Sequence, residues 1–106
     1  MTYEHIKRFV LLMEELRKTE LRSTMVGSIY MPSGDVGYWH FLDPLMPRGN
    51  RVGNAYTGGV RLRGIDEQVA WADVSWAKGE TKSEHFARFC DALEIDFVRR
   101  QEEAAA

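Results

Sequence analysis

The stretch Thr24-Met25-Val26-Gly27-Ser28-Ile29-Tyr30-Met31, followed by Pro32-Ser33-Gly34-Asp35 and then Val36-Gly37-Tyr38-Trp39-His40-Phe41-Leu42, decides the fold. Its flanks are rich in β-branched and aromatic residues, which suit a pleated, half-buried surface better than a helix. Its centre is a turn: proline fixes one φ and glycine accepts a positive one. The stretch therefore predicts a β-hairpin with strands over 24–31 and 36–42. Alternation along the second strand puts Tyr38 and His40 on one face and Trp39 and Phe41 on the other. One of these pairs belongs to the core.

Outward from the hairpin, residues 43–54 hold two prolines, two glycines, two asparagines and two arginines. They read as a long loop, of the kind that often carries function. A third strand falls within 55–63, where Gly58-Gly59 suggests a bulge or a close backbone approach. It ends with Val60 and Leu62 on one face and Arg61 and Arg63 on the other. After a turn at 64–67, a fourth strand covers 68–77. Val69, Trp71, Asp73 and Ser75 share one face, and the apolar set Ala70, Ala72, Val74 and Trp76 faces the helices.

Helices flank the strands. Residues 3–21 carry Ile6, Phe9, Val10, Met13 and Leu16 at helical spacing, with Thr2 as cap and Glu4 in the first turn. Thr81 and Glu84 form a capping box. The helix they open carries Phe86, Phe89, Cys90, Leu93 and Phe97 on one stripe. Leu93-Glu94-Ile95-Asp96 offers a break, with Asp96 capping a last short helix. The fold class is α+β: a four-stranded antiparallel sheet with an N-terminal and a C-terminal helix packed on one face, in the order α-β-β-β-β-α. The 106 residues make a single domain, 1–106, long enough to bury a core unaided.

Composition narrows the function. The longest apolar run is Phe9–Met13, too short to span a bilayer, and Glu4 and His5 come too early for a secretory leader. Cys90 is the single cysteine, so no internal disulfide forms and a reducing cytoplasm is the expected compartment. No metal is expected, because Cys90, His5, His40 and His85 lack ligand spacing. No cofactor motif is present, and the candidates for catalytic chemistry reduce to His40, Asp73, His85 and Cys90. The expectation is that the chain is not an enzyme.

Charge is uneven. Residues 1–43 hold five basic and six acidic groups, 44–64 hold four arginines and no acid, and 65–106 hold five basic and ten acidic groups. A basic middle beside an acidic end means either a binding patch or internal pairing of Arg61 and Arg63 with Asp73 or Glu67. The acidic C-terminal helix forms a second, oppositely charged surface. The candidate partner-binding residues are Arg48, Arg51, Tyr56, Arg61 and Arg63, with Trp39 and Trp71 as aromatic anchors.

The helix-strands-helix order resembles the double-stranded-RNA-binding fold, and Gly79, Thr81 and Lys82 echo the start of that family's second helix. Ser83, His85 and Phe86 depart from it, as does the extra strand, so that function is not carried over. In size and style the chain is similar to accessory proteins of phages and mobile elements, among them anti-CRISPR inhibitors. The reading is a small non-catalytic protein-binding domain, of the kind that inhibits a larger bacterial complex. The alternatives are a nucleic-acid binder using the Arg/Gly-rich segment 48–63, a small enzyme, and a homodimer or other self-assembly through the open sheet face or an uncovered edge strand.

Overall fold

The computed structural model describes residues 2–18, 27–31, 34–41 and 55–105, with backbone alone for 27–30 and 39–41. It is an α+β architecture: α1 (Tyr3–Lys18), β1 (Gly27–Tyr30), β2 (Val36–Phe41), β3 (Ala55–Arg61), β4 (Ala70–Ser75) and α2 (Lys82–Ala105). The strands pair antiparallel in the order β1-β2-β3-β4. β4 is shorter than the sequence suggests and β1 ends at Tyr30, while residues 24–26 of the expected first strand lie outside the described set.

α1 starts where Thr2 accepts the backbone N–H of His5 through its hydroxyl and that of Ile6 through its carbonyl. Four residues of the helix, Phe9, Leu12, Met13 and Leu16, are buried. This is one tight i, i+3, i+4, i+7 stripe; it includes Leu12, which the sequence places as widening the apolar face together with Leu11, and it corrects the expectation at Ile6, Val10 and Leu11, which stand at the surface.

In the hairpin turn Gly34 takes φ +85°, and its N–H donates to the Met31 carbonyl at 2.8 Å. An L side chain is strained in that conformation. Asp35 follows, fully buried. Its carboxylate accepts from the Arg8 guanidinium and from the Arg63 backbone N–H, and Arg8 also donates to the Arg63 carbonyl at 2.8 Å. One carboxylate thus joins α1, the hairpin turn and the chain leaving β3.

Tyr56, Gly58 and Val60 of β3 and Ala70 and Ala72 of β4 are buried on the helix-covered face. α2 lies chiefly over β4 and β3, and α1 rests largely on α2. Phe9 and Phe97 stack with ring centroids 3.8 Å apart and planes within 4°. Leu12 and Leu16 meet Met31, Val60, Phe89 and Leu93 around a narrow apolar cavity, which brings α1 to the sheet.

α2 begins with the expected capping box: the Glu84 N–H donates to Thr81 Oγ1 at 3.1 Å and the Thr81 N–H to Glu84 Oε1 at 3.3 Å. It then runs unbroken to Ala105, so the proposed interruption at 93–96 is corrected. Asp96 does not cap a new helix. From mid-helix its carboxylate accepts the Trp71 backbone N–H at 2.7 Å and the guanidinium groups of Arg99 and Arg100. The carboxylate has a partner across the interface, so the helix need not end to satisfy it.

Candidate functional site: the open face of the sheet

Antiparallel register sets which side chains share a face. One row reads Ser28, Tyr38, Gly59, Trp71, and the next reads His40, Thr57, Asp73. Val36 and Arg61 form a third position on the same side. No helix among the described residues covers this face.

Gly59 shapes its centre. A Cβ there would lie 2.7 Å from Gln68 Nε2, 2.8 Å from Trp71 Cε3 and 3.0 Å from the Ala70 carbonyl oxygen. Real side chains do not approach that closely, so only glycine lets the Trp71 ring and the Gln68 amide lie against β3. Gln68 donates to the Tyr38 hydroxyl, so Tyr38 and Trp71 meet the space over Gly59 from either side with the Gln68 amide between the strands. Trp71 is still 40% exposed. Its backbone is held from behind by Asp96. Burial opposes charge on that carboxylate, but Arg99, the Trp71 N–H and Arg100 outweigh it and hold the pKa below the usual aspartate value. The outcome is a partly exposed indole, carried on an anchored backbone, on a polar-aromatic surface.

Beside it, the Thr57 hydroxyl donates to Asp73 Oδ1 at 3.1 Å. Asp73 is therefore engaged along its own row. Arg61 is exposed, and among the described residues no ion pair joins it to Asp73 or Glu67. An exposed guanidinium on the same face as an exposed indole is suited to a carboxylate, a phosphate or a backbone carbonyl of another molecule.

The expected site residues separate in space. Arg61 and Trp71 share the open face. Tyr56 does not: it is 1% exposed and sits among His85, Phe86 and Phe89 in the core. Its even-numbered place in β3 turns it to the helices, so it is withdrawn as a contact residue. Arg63 lies beyond the end of β3, in the turn with its backbone bound to Asp35 and Arg8. Trp39 pairs with Gly27 and Gly58, in the row of buried Ala72 rather than in the row of Trp71, and its side chain is outside the described residues. Arg48 and Arg51 also lie outside them. Tyr38 and Gln68 were not among the expected contacts. Tyr38 carried a signal in its alternation with Trp39, but the choice between the two faces needs the register.

Two of the other chemical candidates, Cys90 and His85, sit in the core. Cys90 is buried, and burial pushes its thiol up to about 12. It is a neutral core residue at physiological pH. His85 is fully buried, shares a hydrogen bond with the Val74 carbonyl through Nε2, and packs edge-on to Tyr56 and Trp76. The side chain of His40 is outside the described set. Among the described residues no three or more His, Cys, Asp or Glu side chains gather as a metal site, and no helix is long and apolar enough to cross a membrane. Comparison with protein-family models, curated proteins and solved structures returns no match.

Proposed function

We propose that this chain is a non-catalytic protein-binding domain that recognises its partner through the open face of a four-stranded sheet, its two helices forming the opposite layer. The observation that supports this most is Trp71. Gly59 clears space beneath it, Asp96 holds its backbone, and the indole stays 40% exposed. A part-exposed tryptophan on the same face as an arginine that has no ion pair among the described residues is the usual composition of an interface hot spot. Tyr38, Gln68, Thr57 and Asp73 supply hydrogen-bonding groups around it. In this reading the domain works in a reducing cytoplasm by occupying a surface of a larger complex, in the manner of a phage or mobile-element inhibitor.

The test is a capture from nuclease-treated bacterial lysate with the wild type, Trp71→Ala and Arg61→Glu, read by mass spectrometry. The expected result is one protein or complex retained by the wild type and lost with Trp71→Ala. Retention that requires intact nucleic acid, with binding that falls steeply as salt rises, would replace this reading with the nucleic-acid alternative through Arg61 and segment 48–63. Capture indifferent to Trp71 would remove the sheet face from the proposal.

A further inference from the structure

The layer opposite the sheet's open face carries a second exposed apolar surface. Arg17 of α1 reaches Asp91 at 2.7 Å and Glu94 at 3.1 Å on α2. Phe9 stacks on Phe97, so the two helices run antiparallel. Val10 and Ile6 stand seven and eleven residues before Arg17, on the same side of α1. On α2, Asp91, Glu94, Ile95, Val98, Arg99 and Glu102 line a broad open groove. Tyr3, Ile6, Val10, Ile95 and Val98 are all exposed, Ile95 by 70% and Val98 by 52%. Both helices therefore show large apolar side chains with no cover among the described residues, and on α2 two of them, Ile95 and Val98, sit together in the groove. Large apolar side chains gathered on an exposed helix face mark an interaction surface more often than scattered ones do.

The charges say what kind of partner suits it. Asp91 and Glu94 share one arginine, Arg17. Arg99 divides itself between Asp96 and Glu103, and Glu102 has no ion pair among the described residues. The last turn of α2 carries no basic residue. Carboxylates near the C-terminal end of a helix meet the negative pole of its dipole, where lysine or arginine is favoured. The sequence breaks a local rule at this end, and positive charge from outside would relieve the conflict.

We propose that this open groove along α2 is a second docking surface, for a basic amphipathic helix of a partner protein. The apolar face of that helix lies on Ile95 and Val98, and its lysines or arginines lie over Asp91, Glu94 and Glu102. This is the helix-in-groove mode of recognition, read from anchors at helical spacing. It is separate from the sheet face and stands or falls independently of it.

The probes are three fluorescent helical peptides: one with a Leu face and a Lys face, one with a Leu face and a Glu face, and one with Lys and Gln but no apolar face. Each is titrated against the full chain by anisotropy. The Leu/Lys peptide is expected to bind at least about tenfold tighter than the other two, and to weaken as salt rises. Ile95→Ser with Val98→Ser should reduce its affinity by about tenfold or more, Glu102→Lys should reduce it further, and Trp71→Ala should leave it unchanged. Circular dichroism verifies that these surface variants fold. Equal binding of the Lys/Gln peptide would reduce the effect to bulk charge and overturn the proposal, as would no binding at all. Self-association by light scattering that disappears in the Ile95/Val98 variant would assign the groove to a second copy and overturn it as well.

Discussion

Gly59 and Asp35 each control far more structure than their size suggests. Gly59 lacks the one atom that would meet Gln68, Trp71 and the β4 backbone together. Gly59→Ala must push β4 or swing the indole away. The expected cost is about 1–3 kcal/mol in urea unfolding, the range for overpacking. The Trp71 indole N–H resonance should shift in the same variant. Asp35 is a buried carboxylate serving the guanidinium of Arg8 and the N–H of Arg63. Asp35→Ala leaves both donors in a poorly solvated place and is expected to cost about 3 kcal/mol. The Arg8→Ala/Asp35→Ala double variant should be much less destabilised than the sum of the singles, because the two groups act as one unit.

Where β4 leads into α2, an ion pair adds to the dependence of stability on acid pH. Arg88 binds Glu80 through two nitrogens and also donates to the Ser75 carbonyl. The Arg88 guanidinium holds Glu80 down to about 2. A lowered carboxylate pKa favours the folded state above the ordinary value near 4.5 and gives up that advantage as pH falls toward about 2. Asp96 is shifted in the same direction and adds to the effect. Melting temperature should therefore fall across that window, and Glu80→Gln should flatten the fall. The α2 capping box, the hairpin and the α+β class were legible because each rests on local rules: cap chemistry, turn residues and period-two alternation. The length of α2 was not. Asp96 looks like a cap in isolation, and only the Trp71 N–H across the interface reveals a different use. The site was half legible for the same reason. Arg61 and Trp71 could be found from alternation, whereas Tyr56 was misread because bulk and polarity do not say which face of β3 is covered. Tyr38 joined the site through pairing with Gly59, a long-range fact.

Across the molecule, both helices and the strands share one core, from Phe9 and Leu12 through Val60 and Ala72 to Phe89 and Phe97. Cys90 lies inside that core with its thiol pushed up to about 12, which makes it an internal reporter of opening. Thiol-specific reagents are expected to be nearly unreactive toward the native chain at neutral pH. Labelling should appear only across the urea transition and coincide with the loss of helical circular dichroism. Labelling well before that transition would show that α2 detaches from the rest as a separate unit.

The margin of β4 has a wider consequence. Asp96 takes the Trp71 N–H, Arg88 takes the Ser75 carbonyl, and Arg100 takes the Gln68 carbonyl at the approach to the strand. An incoming peptide would have to displace these side chains before it could zip onto this boundary. The helix thus works as a built-in stopper against fibrillar growth from that flank, and a charge-removing change at Asp96 should first betray itself as turbidity in concentrated stocks.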